Sequence, residues 1–265
     1  MRIEVLVSTM NQKNIELVKK MNIKSDALII NQTNYDGIEN YKFDNKKFTL
    51  INCNEVGLSK SRNKALANAT GDICIIADDD VVYNDKYCEV VKSAYKKYYD
   101  ADIIVFEVPT TNQERKQKKA IKNEYISYLK SGKISSFQIT FKRKSLIDNN
   151  IKFDEMFGAG ARYSCGEENI LLFEALRNNL KIVRVIDEIG IVTHEESTWF
   201  KGYDEKFFRD KGAIFTRLTK RYSLAWIVQY AIRKYKIYYN NISFSNALKY
   251  MLKGRKEFLL FKYER

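Results

Sequence analysis

A chain of 265 residues with 45% hydrophobic content suits one large domain, or a domain with an appendage, and its single Pro and 11 Gly argue against a disordered or low-complexity protein. The formal net charge is +13. Residues 201–265 hold 16 Lys and Arg against five Asp and Glu, so a tail of +11 follows a near-neutral body, and such a tail implies an anionic partner, nucleic acid or acidic lipid.

In chain order, Ile3–Val7 predicts a strand and about Lys13–Met21 a helix. Met1–Val7 is too short for a signal peptide and carries Glu4. Strands are expected at Ala27–Asn31 and Phe48–Asn52, then a helix over Ser59–Ala69 with Ser59 as its N-cap. Ile73–Ala77 is the next strand, Asn84–Tyr98 a helix and Asp102–Val108 a strand. This alternation of strands and helices predicts a mostly parallel sheet of βαβ units, with ligands bound beyond the carboxyl ends of the strands.

Residues 110–133 are polar and predict an exposed excursion, and Ser136–Phe141 alternates like a strand. Phe157–Ala161 is a glycine-bearing loop, Glu167–Asn178 an amphipathic helix, and Lys181–Val185 and Gly190–Thr193 two short strands. After Gly202 come aromatic, basic, helix-period segments: Tyr203–Lys220, Ser223–Tyr239 and Ser243–Phe261. The expected division is a body over 1–200 and a helical extension over 201–265. The four cysteines, Cys53, Cys74, Cys88 and Cys165, form no C-x-x-C pair, which predicts a reducing compartment and no zinc site. No run of about 18 uncharged apolar residues predicts a spanning helix.

The strand Ile73–Ala77 ends in Asp78-Asp79-Asp80. Neighbouring like charges repel when partly desolvated, and a hard divalent cation removes the conflict. Asp-X-Asp at a strand end therefore reads as a clamp for Mn²⁺ or Mg²⁺ and a diphosphate; the bland alternative is an acidic turn. Gly57-Leu58-Ser59-Lys60-Ser61-Arg62-Asn63 opens a helix, where free N–H groups, Ser59 and Arg62 suit an anion. Ser164-Cys165-Gly166-Glu167-Glu168 opens another. Ser164 and Glu167 have capping-box spacing, which leaves Glu168 as a base; a purely dipole-favoured acidic pair is the alternative. His194, the single histidine, follows a strand-like run and is a candidate metal ligand. In the tail, aromatics interleaved with Arg233, Lys234 and Lys236 suit a membrane interface, against plain packing on the body.

This order of motifs, Gly57-Leu58-Ser59…Arg62-Asn63, then Gly71-Asp72 and Asp78-Asp79-Asp80, then Gly166-Glu167-Glu168 and His194, resembles the family 2 glycosyltransferases of the GT-A fold, over roughly residues 1–200. It is similar to members that build bacterial surface polysaccharides. The resemblance implies a Rossmann-like α/β domain with a C-terminal helical extension. It also implies a metal and sugar-nucleotide site at Asp78, Asp79 and Asp80, a base from Glu167 or Glu168, and a metal shell completed by His194. Many members have an acidic residue after the second strand, where this chain has Asn31-Gln32-Thr33, and the first strand ends Ser8-Thr9-Met10-Asn11 without the proline often found there.

The expected activity is an inverting, metal-dependent transfer of hexosyltransferase type. Its donor, a UDP-sugar, would lie near Ser8, Thr9 and Asn31, with Ser59 and Arg62 toward the diphosphate. The acceptor would be a glycan, most simply a lipid-linked one, reached from the cytoplasmic face of the plasma membrane by peripheral attachment to an anionic surface. Two other classes remain. A sugar-phosphate nucleotidyltransferase would place a glycine-rich loop after the first strand, but Ser8–Lys13 has no glycine. A nucleic-acid-binding protein would explain the charge but not the acidic motifs, so no nucleic-acid partner is expected.

Overall fold

A computed structural model describes residues 1–112, 119–193 and 202–263. The chain forms two compact units, one of residues 1–155 and 167–196, the other of residues 156–166 and 197–265.

The first unit is built on a nine-stranded sheet. Its strands are β1 (Ile3–Met10), β2 (Asp26–Gln32), β3 (Gly37–Phe43), β4 (Lys46–Cys53), β5 (Ile73–Asp78), β7 (Ile103–Glu107), β8 (Glu124–Tyr125), β9 (Ile139–Lys142) and β10 (Ile182–Glu188). The order is β3-β4-β2-β1-β5-β9-β7-β10-β8. Strands β4, β2, β1, β5, β7 and β10 share one direction, while β3, β9 and β8 oppose it. A separate ribbon pairs β6 (Val81–Tyr83) with β11 (Gly190–Val192).

The apolar runs are nearly continuous because both faces of the sheet are covered. Along β5, Ile73, Ile75 and Ala77 join one core with Leu17 and Val18 of α1 (Leu17–Lys20) and with Val91, Ala94 and Tyr95 of α3 (Tyr87–Lys97). Cys74 and Ile76 face the other core, with Ala65 and Leu66 of α2 (Leu58–Asn68) and Leu171, Leu172 and Ala175 of α6 (Glu167–Arg177). Cys53 and Cys74 are buried in that second core.

Several elements depart from expectation. Strand β3 was not anticipated. It is the outer arm of a hairpin whose two turn residues, Asp44 and Asn45, have φ of 50° and 58°, the backbone that a two-residue hairpin demands. Helix α1 covers only the end of the expected helix, because the Asn14 side chain accepts a bond from the Glu16 N–H and holds a turn in its place. Ser136–Gln138 is a 3₁₀ turn, and only then does the chain enter β9. The excursion expected over 110–133 is partly packed: β8 pairs with β10, Ile126 and Ser131 are buried, and α4 (Tyr128–Ser131) follows; residues 113–118 lie outside the described set.

The second unit contains α7 (Glu205–Thr219), α8 (Ser223–Tyr238) and α9 (Phe244–Tyr263), close to the three expected helices. Asp204 caps α7, its carboxylate accepting from the Phe207 N–H at 2.8 Å. Helices α7 and α9 touch backbone to backbone. A Cβ on Gly212 would sit 1.9 Å from the Met251 carbonyl oxygen, and one on Gly254 1.9 Å from that of Arg209. Phe208, Ile227, Ala231, Tyr238, Ala247 and Met251 fill the core around this crossing.

Candidate active site

Strands β4, β2, β1 and β5 present their carboxyl ends side by side. Register places Asn52 opposite Asn31, Asn31 opposite Thr9, and Ser8 opposite Asp78. Side chains extend this row into a chain of hydrogen bonds. The Asn31 amide donates to the Asn52 side-chain oxygen at 2.7 Å and to the Gln12 carbonyl at 2.8 Å, and its oxygen accepts from the Gln12 N–H. The Gln12 side chain donates to Thr9 Oγ1 at 3.0 Å, and Thr9 donates to Asp79 at 2.5 Å. Asn31 is fully buried; it fastens the turn after β1 and is linked through Gln12 and Thr9 to Asp79. Ser8 is buried too and accepts from Ser61 of α2.

Helix α2 begins one residue earlier than expected. Gly57, at φ 137°, is its N-cap, and its N–H donates to the buried Gln32 side chain at 2.7 Å. Ser59 is therefore not the cap; it lies inside the helix and is buried.

Arg62, one turn further, also departs from the expected anion-facing position. Its side chain is 3% exposed and forks between two carboxylates, Asp78 on β5 and Glu167 on α6, each at 2.8 Å. It also donates to Ser136 at 2.9 Å. Burial works against the Arg62 charge, but the carboxylates of Asp78 and Glu167 outweigh it, and the pKa is raised further above its ordinary value. The capping box expected at α6 fails at the same point. Ser164 instead donates to the buried Asp210 at 2.6 Å, and Glu167 is given to Arg62. Both Glu167 and Glu168 stand in the first turn of α6, where the helix dipole favours negative charge. Glu167 is buried, and Glu168 is half-exposed.

The structure thus gathers Asp78 and Glu167 around one guanidinium, with Asp79 and Asp80 next in chain and Glu168 beside Glu167. The charge of Glu168 also acts on that guanidinium. Asp79 is exposed, and Asp78, Asp80 and Glu168 are half-exposed. The Asp80 carbonyl is tied to Thr193 through the latter's N–H and hydroxyl, both at 3.1 Å, which closes the β6–β11 ribbon against the acidic turn. His194 lies outside the described residues. Among the described residues no three His, Cys, Asp or Glu side chains converge on one point. A nucleotide-associated Mg²⁺ or Mn²⁺ needs only one or two carboxylates, with phosphate and water completing its shell, so the carboxylate oxygens at the end of β5 fit such an ion.

Sequence reasoning missed Gln12, Asn52 and Ser136, which carry no motif and are brought to this edge by the turn after β1, the register of β4 and the 3₁₀ turn. Ser61 lies within the Gly57–Asn63 motif, but its bond to Ser8 has no local signal.

The family model described as Glycosyl transferase family 2 matches residues 34–166. No curated protein matches the chain. Among solved structures, S. aureus TarS residues 1–349 in complex with UDP-GlcNAc is 15% identical, with a TM-score of 0.66 over 96% of this chain and 81% of that one. The same fragment in complex with UDP is 16% identical, with a TM-score of 0.60 over 91% and 74% of the two chains. These likenesses show the fold.

Proposed function

Since the chain belongs to glycosyl transferase family 2 and is a glycosyltransferase, we propose that it moves a sugar from a nucleotide-diphosphate donor to a hydroxyl of a membrane-borne glycan, with inversion. The observation that carries this reading is the Arg62 fork, which joins Asp78 at the strand end to Glu167 at the start of α6. This supports a site in which a donor-binding carboxylate and a base lie near one another.

In this reading Thr9 and Gln12 orient Asp79, and Arg62 orients Asp78 and Glu167. Asp80 and Asp78 are the carboxylates that would hold Mn²⁺ or Mg²⁺, with His194 as the further ligand implied by family resemblance. When bound, the ion would offset the charge that grows on the departing diphosphate. Glu168 accepts the proton of the acceptor hydroxyl as that oxygen attacks the anomeric carbon. The bond between that carbon and the diphosphate oxygen breaks, its electron pair leaves with the nucleoside diphosphate, and one displacement inverts the centre. Glu168 is chosen over Glu167 because an acceptor must reach the base, and Glu167 is buried against Arg62.

The donor of the S. aureus complex suggests the first substrate to test. Purified protein incubated with UDP-GlcNAc, UDP-glucose and UDP-galactose should release UDP from one of them, faster when membrane glycolipid is added. Release of pyrophosphate from a nucleoside triphosphate and a sugar 1-phosphate, without UDP release, would replace this reading with nucleotidyl transfer.

A further inference from the structure

Helix α8 has two apolar faces, and the second unit uses one. Ile227, Ala231 and Tyr238 are fully buried in the helical core. Leu224, Val228, Ile232, Tyr235 and Tyr239 recur at spacings of four, four, three and four, and so form a second stripe along α8 and its last turn. They are exposed, Ile232 to 63%. A shallow depression follows this stripe, lined by Leu224, Ala225, Val228, Gln229, Ile232 and Arg233. At 3.6 residues per turn, Lys236, Gln229 and Arg233 border the stripe on the side away from the buried face.

We propose that this stripe is a docking surface for an anionic lipid bilayer. Charge decides among the possible occupants. From Lys211 to Lys256 the chain has no Asp or Glu but carries 11 Lys and Arg. A second copy seated on the stripe would bring the same cations against these, and like charges would oppose it. Nucleic acid would match the charge but would leave Leu224, Val228 and Ile232 without use. A headgroup layer over acyl chains satisfies both features: branched aliphatics enter the boundary, Tyr235 and Tyr239 sit at headgroup level, and Arg233 and Lys236 reach lipid phosphates. No described helix is long and apolar enough to cross a membrane, so the contact is made in the plane of the interface. The assignment is independent of the donor: it concerns where the protein sits, not what it transfers.

The test is flotation of the full-length protein with vesicles of phosphatidylcholine, alone or mixed with phosphatidylglycerol. Binding should require phosphatidylglycerol and weaken in high salt. Val228→Glu with Ile232→Glu should lower the partition coefficient by about tenfold or more, and Arg233→Glu with Lys236→Glu should do the same. Turnover of nucleotide sugar with a soluble acceptor reports separately on folding and on the transfer reaction, and both double variants should retain it. Wild-type protein that ignores phosphatidylglycerol overturns the proposal, whether or not it turns over donor. So does a dimer in sedimentation velocity that Val228→Glu with Ile232→Glu abolishes while vesicle binding persists. Tight, salt-sensitive binding to RNA with no vesicle binding overturns it as well.

Discussion

Arg62 is a buried cation held by carboxylates from two distant elements, and its fork geometry is what lets one side chain serve both. Removing it leaves Glu167 buried without its partner, a loss on the order of 3–5 kcal/mol. We expect Arg62→Met to lose about that much stability in urea denaturation, and Arg62→Met with Glu167→Met to recover most of it. Neither variant should turn over donor. Arg62→Lys with wild-type turnover would show that one point charge is enough and that the fork has no positioning role. Glu168→Gln should reduce turnover by at least about a hundredfold, the lower scale of general-base catalysis, with donor affinity by calorimetry little changed. If Glu167→Gln has that effect and Glu168→Gln does not, the two glutamates exchange roles. Asp80→Asn should abolish Mn²⁺-dependent binding of UDP while leaving the circular dichroism spectrum unchanged; full wild-type activity in excess chelator would remove the metal from the reaction.

Between elements, α7 and α9 cross with their backbones in contact. Hydrogen is all that fits at Gly212 and Gly254, because the facing atoms are backbone carbonyls and cannot swing aside. Gly212→Ala and Gly254→Ala should each cost roughly 1–3 kcal/mol or more, as overpacked cores do. At Gly132 a Cβ meets nothing within 4 Å, and Gly132→Ala should stay within about 0.5 kcal/mol by the same denaturation measurement. This scale also shows what could be read in advance. The runs at β1, β2, β4 and β5 were legible because strands buried on both faces need continuous apolar sequence. Strand β3 was not, because Gly37–Phe43 is a mostly exposed edge arm with no alternation, although Asp44-Asn45 carried a usable turn signal. Asp78, Asp79, Asp80, Glu167 and Glu168 stood out as local charge patterns. The partners of Arg62 could not be read, since nothing local in a sequence tells a solvated arginine from one buried between carboxylates. Asn31 shows the converse: its place beside the site was legible, but its engagement by Gln12 and Asn52 was not.

Over the whole molecule, charge and chemistry are divided. The first unit, near neutral overall, holds the candidate site, and most of the net positive charge lies in residues 201–265. The Arg62 fork adds a consequence in time. Asp78 lies 16 residues from Arg62 along the chain, whereas Glu167 lies 105 away. During synthesis the arginine and its first partner leave the ribosome long before the second, and contacts of large sequence separation are the slow ones to form. Until α6 arrives, the guanidinium has only half of its anionic surroundings, and the aspartates lack the brace that fixes their spacing. Catalytic competence is then a late property of the folding chain, and intermediates should hold their helical content without binding nucleotide. Refolding from urea should show recovery of far-UV circular dichroism ahead of recovery of donor turnover. Simultaneous recovery would mean that the fork closes together with the rest of the sheet.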